Sequence, residues 1–320
     1  VRAWQALLGS LLPPQIAIFH DFRPPPYGGS NQFLTALRDE LRRRGFRVGA
    51  NRIARATRAA LLNSFAFDEA RLRRMRAGAA CRIVHRVDGP VGTYRGTDNA
   101  IDRRIAALNH ELADATVFQS RYCLEAHRAL GLEFRAPVVV LNAPDERVFH
   151  PRGRAPWDPA RKVRLISTSW SDNPNKGAAT YKWIEERLDW SAYDYTFVGR
   201  AALRFDRIRT LPPQPPERVA QLLREHDVYV AGSLHDPCSN ALLEALACGL
   251  PAVYANSGGH PEIVGDAGVP FESAEDALEA ISRVVAGYEQ RQARIRVPVL
   301  TEVTDGYLQA MGLPGVARTG

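Results

Sequence analysis

The chain has 320 residues, 45% of them hydrophobic and 24% charged, and a net charge of +7. That balance belongs to a globular protein long enough for two domains, each with its own core, and it excludes a disordered chain. No apolar run approaches the roughly 20 residues of a membrane span.

The charge is uneven. Residues 1–150 hold 23 Arg against 14 Asp and Glu, a balance of +9, whereas residues 151–320 hold 19 Lys and Arg against 21 Asp and Glu, a balance of −2. The excess gathers in Arg38–Arg58 and Arg71–Arg76. It suits an anionic membrane, a phosphorylated acceptor or nucleic acid, and equally a solvated basic face. Nucleic acid has no second support, because no RNP-type strand or zinc finger is visible. Cys81, Cys123, Cys238 and Cys248 form no C-x-x-C pair, which argues against a zinc site or disulfide framework and for a reducing compartment. The first fourteen residues read as a leading helix rather than a signal peptide, since no small-residue cleavage site follows the short apolar patch; a cytoplasmic protein is expected, with peripheral contact to the inner face of the membrane as an option.

In chain order, Gln15–Phe22 reads as a first buried strand. Pro24–Ser30 is a loop, and a helix capped by Ser30 or Asn31 runs to Arg44 with Phe33, Leu34, Leu37 and Leu41 on one face. Strand, Gly28-Gly29 turn and helix start make an anion cradle, although the G-x-G-x-x-G dinucleotide fingerprint is absent. Strands follow at Phe46–Asn51, Leu61–Phe67, Cys81–Val87, Ala115–Ser120 and Pro137–Leu141. Helices lie between them at Asp68–Arg76, Asp98–Leu112 and Arg121–Leu130. Alternation over this length predicts a parallel, doubly wound sheet. Asn142–Pro151 reads as the linker out of a first domain, 1–150.

The pattern restarts in a second domain, 151–320. Val163–Thr168 is a strand, Trp170–Gly177 a polar loop entering a helix to Leu188, and Tyr193–Gly199 a strand. Leu211–Pro216 is a rigid turn and Glu217–His226 a helix. Asp227–Leu234 is a buried strand, after which Pro237 reads as the first helical position with Asp236 as N-cap. Gly249 stops that helix, Leu250–Asn256 is a strand, and Ser257-Gly258-Gly259 is a loop open to close backbone approach. Helices at Ala274–Tyr288 and Val303–Met311 close the chain. Asp236 and Glu244 stand eight residues apart, one at the helix mouth and one two turns in; with the N–H groups of Cys238–Asn240 they suit a polyhydroxyl ligand that carries phosphate. Lys176 is one of only three lysines against 39 arginines. A compact ammonium in a loop before a helix suits a phosphate, and also suits a solvated loop.

These pieces resemble family 4 glycosyltransferases of the GT-B fold, retaining enzymes built from two Rossmann-like α/β domains facing a cleft. The resemblance runs from about Gly28 to Phe271. Asp236-x7-Glu244 resembles the family's E-x7-E; Ala247-Cys248-Gly249-Leu250-Pro251-Ala252-Val253 resembles its A-x-G-x-P-V; and Gly258-Gly259-His260-Pro261-Glu262-Ile263-Val264 resembles its G-G-x-x-E-I-V. Lys176-Gly177 matches the family's K-G, Gly28-Gly29-Ser30 its N-terminal glycine loop, and Leu141–Asp145 the end of its first domain. The resemblance implies transfer of a hexose-type sugar from a nucleotide-diphosphate-sugar, with neither metal nor cofactor. In that reading Glu244 holds the ribose. Asp236, with the N–H groups of Ser239 and Asn240, holds the sugar; Lys176 neutralises the diphosphate; and Gly28, Gly29 and Ser30 approach the donor from the other domain. Three positions depart from the pattern: Asp236 replaces Glu, Ser171 stands where an Arg is common, with Arg200 as a substitute, and Asp88 stands near the place of a His. Asp88 is the catalytic candidate alongside Lys176; strand alternation sends His85 to the opposite face, while Asp88 also suits a turn before Gly89-Pro90. The alternative to an enzyme is an inactive relative that serves as a binding or scaffold subunit.

Overall fold

The computed structural model describes residues 12–65 and 67–314. The leading helix expected at the N-terminus falls largely on residues 1–11 and so lies outside the described residues. Two six-stranded, all-parallel sheets organise the rest. The first contains β1 (Ile16–Phe19), β2 (Val48–Ala50), β3 (Ala59–Asn63), β4 (Arg82–Val87), β5 (Ala115–Phe118) and β6 (Pro137–Val139), in the order β2-β1-β3-β4-β5-β6. The second contains β7 (Val163–Ser169), β8 (Tyr193–Gly199), β9 (Arg209–Leu211), β10 (Val228–Ala231), β11 (Ala252–Ala255) and β12 (Gly268–Phe271), in the order β12-β11-β10-β7-β8-β9. Each order reverses once, between β1 and β3 and between β7 and β10. A reversal leaves a crevice at the strand C-termini, because successive crossovers leave in opposite directions there.

The central strands are buried on both faces, as continuous apolar runs require. The edge strands β9 and β12 carry no such run and are absent from the sequence reading. β12 even contains Pro270, which an edge strand tolerates because one of its sides needs no N–H donor. Helix Gly29–Arg43 buries Phe33, Leu34, Leu37 and Leu41, the face its spacing predicts. Neither Ser30 nor Asn31 caps it. Gly28 holds the cap position, while the Asn31 amide accepts from the Arg23 N–H at 2.9 Å and donates to the Arg23 carbonyl at 2.9 Å, pinning the proline loop.

One boundary differs from the sequence reading. Helix Leu300–Ala310 does not stay with residues 151–320. Its Leu300, Val303, Tyr307 and Leu308 pack into the first core, against Ile16, Phe33, Leu37 and Val117. Arg82 Nε donates to the Ala310 carbonyl at 2.7 Å and Arg44 Nη2 to the Thr301 carbonyl at 2.6 Å. The helix goes there because an amphipathic segment buries its stripe against whichever core still lacks a wall. The chain therefore crosses between domains twice, near residues 142–157 and near 293–299.

The basic excess of the first domain is partly neutralised. Arg38 and Arg42 pair with Asp39, Arg43 and Arg44 with Glu40, and Arg73 with Glu69 and Glu111. The four cysteines are free and buried, and among the described residues no helix is long and apolar enough to cross a membrane.

Candidate active site

The two crevices face each other. The loop after β7 carries Lys176, and the loop after β10 carries Asp236; parallel pairing of β7 with β10 places these residues, sixty apart in sequence, side by side. Lys176 Nζ donates to Asp236 Oδ2 at 2.7 Å. Burial pushes the Asp236 carboxyl up, but the Lys176 ammonium, together with His260 and the Cys238 N–H, holds it below its ordinary range. The Asp236 charge in turn holds Lys176 above its ordinary range, against the burial that opposes it. Lys176 Nζ also lies 5.3 Å from the centre of the Tyr94 ring.

Helix Asn240–Ala247 begins three residues later than the sequence reading has it. Its N-cap is Ser239, whose hydroxyl accepts from the Leu242 N–H at 3.4 Å. Pro237 is not a helical position, and Asp236 is no cap. The Pro237 carbonyl instead accepts from Ser120 Oγ of the first domain at 2.5 Å, a tertiary contact that local propensity does not encode. The N–H groups of Ser239 and Asn240 have no backbone acceptor among the described residues and point outward from the helix start.

A cavity of about 360 Å³ lies between the domains. Gly29, Ser30, Asp88, Lys176, Asp236, Ser239 and Asn240 all line it, as do Trp170 and Ser171. A narrower cavity of about 110 Å³ continues from it past Gly28, Gly29 and Trp170 to Gly199, Gln214 and Glu244. The structure thus brings every candidate residue to one connected cleft. Glu244 is 9% exposed and makes no ion pair among the described residues; burial pushes its carboxyl up to about 8. An unpartnered carboxyl at the end of a narrow slot is a ready acceptor for hydroxyl donors.

Asp88 directly follows β4 and lines the cavity from the first domain. Its Oδ1 accepts from Arg86 Nη1 at 2.9 Å and from Gln119 Nε2. His85 faces the other way, as alternation predicts: it is fully buried, and its Nε2 meets the Ser64 carbonyl at 2.7 Å. Burial lowers its pKa to about 4, so it is neutral and structural. Arg200 stacks over Trp170, 4.6 Å from the ring centre, and Trp170 lines the cavity.

The glycines serve the closure of the cleft. A Cβ on Gly29 would stand 2.6 Å from Asn240 Nδ2, and one on Gly89 would stand 2.8 Å from Pro237 Cβ. Gly258 and Gly259 do not open towards a ligand as the sequence suggests; side chains there would strike the backbone of Asp236 and Pro237, so these glycines let two loops of the second domain stack. Gly89→Ala should therefore fold normally yet lose about tenfold in turnover efficiency, because rigid Pro237 cannot yield and a displacement near 1 Å is costly at a reacting centre. Steady-state kinetics beside a thermal melt checks this; unchanged kcat/KM would show that the domains close elsewhere.

Sequence reasoning missed Tyr94 and Arg95, which line the cavity from a short helix, Val91–Arg95. The signal was present. Pro90 opens that helix and Gly96, with φ 66°, ends it; Asp102 accepts from the N–H groups of Val91 and Gly92 at 2.7 and 2.9 Å. Asn175 Nδ2 donates to the Tyr94 carbonyl at 2.6 Å, and the Arg121 N–H to Glu262 Oε2 at 2.8 Å, adding two links across the domains.

Comparison with known proteins bears on this geometry. Residues 201–296 match the family described as Glycosyl transferases group 1. A D-inositol 3-phosphate glycosyltransferase of Mycobacteroides abscessus is 38% identical over 84 residues, covering 25% of this chain and 19% of the relative. One from Rhodococcus opacus is 36% identical over 173 residues, covering 52% and 34%. The chain spans between 19% and 40% of the length of such curated relatives. Among solved structures, a sucrose-phosphate synthase from Thermosynechococcus elongatus superposes with a TM-score of 0.68 at 16% identity, over 93% of this chain and 94% of that one. Anabaena HepE in complex with UDP-glucose gives 0.64 at 14% identity, over 92% and 95%. At such identities the likeness is one of fold, and the fold is GT-B.

Proposed function

We propose that this chain, a GT-B protein carrying a glycosyl transferases group 1 segment, moves a hexose-type sugar from a nucleoside diphosphate sugar to a hydroxyl acceptor, with retention and without a metal. The observation that carries the reading is the connected cleft: an unpartnered carboxyl, Glu244, at one end, the cation Lys176 beside a helix start in the middle, and Asp88 opposite. Each matches one part of such a donor. Glu244 accepts from the ribose hydroxyls. Lys176 and the N–H groups of Ser239 and Asn240 meet the diphosphate. Asp236 takes sugar hydroxyls, and Gly28, Gly29 and Ser30 admit the donor from the other side.

Bond breaking sends negative charge onto the diphosphate while the anomeric carbon becomes oxocarbenium-like. A fixed ammonium and free backbone donors on the leaving-group side stabilise that charge without reorganisation. Asp88, across the cleft, offers its free oxygen to the acceptor proton or to the developing positive charge. Trp170 lines both cavities, so the narrower one suits the nucleoside and the wider one the diphosphate and sugar.

The acceptor enters from the first domain. Arg95 lines its side of the cavity and makes no ion pair among the described residues, so an acceptor with an anionic group fits best, whether a phosphorylated polyol or a lipid headgroup at an anionic membrane. The test is a melting panel of uridine, adenosine and guanosine diphosphates and their sugars, followed by turnover of the donor that binds, with phosphorylated and plain polyols and in the presence of a chelator. The expected result is a shift with one nucleoside, turnover that survives the chelator, and a product whose anomeric configuration by NMR is that of the donor. No shift with any nucleotide in a folded sample would overturn the enzyme reading in favour of a scaffold subunit.

A further inference from the structure

The side chains behind Asp88 do more than fill the first domain. Arg86 is fully buried, and its guanidinium is shared three ways: Nη1 donates to Asn63 Oδ1 at 2.7 Å and to Asp88 Oδ1 at 2.9 Å, and Nη2 donates to Asn142 Oδ1 at 3.2 Å. Gln119, 2% exposed, donates from Nε2 to the same Asp88 oxygen and accepts at Oε1 from Asn142 Nδ2 at 2.9 Å. Asn142 Nδ2 also donates to Asn240 Oδ1 at 3.1 Å. Asn240 belongs to the opposite domain and opens the helix that carries Glu244.

The pattern has two consequences. Both donors aimed at Asp88 take Oδ1, which leaves Oδ2 without a protein donor among the described residues, and Asp88 lines the cavity. The carboxylate plane is fixed by partners that are themselves immobile, since a buried guanidinium and two buried amides have no water to turn to. In addition, the last link of the network, Asn142 to Asn240, exists only while the second domain sits against the first. The residues of this network come from β4, from the ends of β3 and β5, and from the linker at 142, so nothing in local sequence announces it.

We propose that Arg86, Gln119 and Asn142 are positioning residues for Asp88, and that the Asn142–Asn240 bond makes this positioning depend on closure of the two domains. The proposal rests on the reading of Asp88 as the carboxylate at the reacting carbon. It differs from a purely structural role in what it predicts: the network should act on turnover through Asp88 and not on donor binding.

A double-mutant cycle separates these. The variants are Gln119→Leu, Asn240→Ala (which keeps its backbone N–H) and Asp88→Asn, alone and in pairs, with donor affinity measured by titration with the nucleoside diphosphate and kcat by release of that diphosphate from its sugar. Gln119→Leu and Asn240→Ala are each expected to lower kcat about 10- to 100-fold, the scale of a misplaced reacting group, with nucleoside diphosphate affinity unchanged. In the Asp88→Asn background neither should cost anything further. Full additivity, or a loss seen in affinity rather than kcat, overturns the proposal while leaving Asp88 as the reacting carboxylate. A wild-type kcat for Asp88→Asn removes the assignment of Asp88 itself and the proposal with it. Because Arg86→Met removes a buried charge and can fail to fold, Gln119 and Asn240 carry the test.

Discussion

Lys176→Met is expected to lower turnover about a thousandfold, the scale of one lost electrostatic donor at a developing charge, and to lower stability as well. The second effect follows from the pair with Asp236. The Asp236 side chain is 7% exposed and its cation partner sits 2.7 Å away. Removing the ammonium leaves a buried carboxylate uncompensated, a change that costs about 3–5 kcal/mol in buried pairs and less here, since the Lys176 side chain keeps partial contact with water. The pH dependence has a definite sign. In the wild type the Asp236 carboxyl is depressed, so its contribution is present above its unfolded value and lost as pH falls. Without Lys176, burial dominates and the carboxyl rises, so the variant's deficit is largest at neutral pH and shrinks towards pH 4. Adding Asp236→Asn should restore the melting temperature and leave turnover low. Calorimetry at pH 5 and pH 8 beside kinetics decides it; a double variant with wild-type turnover would remove Lys176 from the chemistry.

Glu244→Gln should move stability and ligand affinity in opposite directions. Burial raises this carboxyl from 4.5 to about 8 in the folded protein. Between those values the native state keeps a proton that the unfolded chain loses, so wild-type stability falls as pH rises through the window. Glutamine has the shape of the protonated form and no proton to lose. The variant should therefore melt higher than wild type at pH 8.5 and close to it at pH 5. Nucleoside diphosphate binding should weaken about 10- to 100-fold, the worth of hydrogen bonds to a charged acceptor. Since ribose hydroxyls favour the ionised carboxyl, wild-type binding at pH 7 should release more protons than binding by the variant, in which only the ligand's terminal phosphate can lose one, a difference visible by titration calorimetry in buffers of different ionisation heat. Equal affinities in the two proteins would take the ribose away from Glu244.

Much of this site was legible residue by residue. The apolar stripe of helix Gly29–Arg43 was readable because helix period and burial agree there. Lys176-Gly177 and the Asp236–Glu244 spacing were readable because chain order alone brings them to strand ends. Their 2.7 Å contact was not, since it depends on β7 and β10 being neighbours across the order reversal. The helix start at Asn240 was misplaced for a similar reason: Asp236-Pro237 is a good local cap, but the Pro237 carbonyl is engaged by Ser120 from the other domain. Edge strands β9 and β12 lacked the apolar run that marks a central strand. Tyr94 and Arg95 lay on a helix too short to show a period.

The return of helix Leu300–Ala310 to the first core has a consequence for how such a protein can be rearranged. The first domain is not one continuous piece of sequence, because residues 12–142 need Leu300, Val303, Tyr307 and Leu308 to complete their apolar wall. A chimaera that exchanges only the N-terminal half with a relative joins a new core to an old closing helix. The first domain's side of the cleft is thus inherited in two segments, and its exchange by recombination has to carry both.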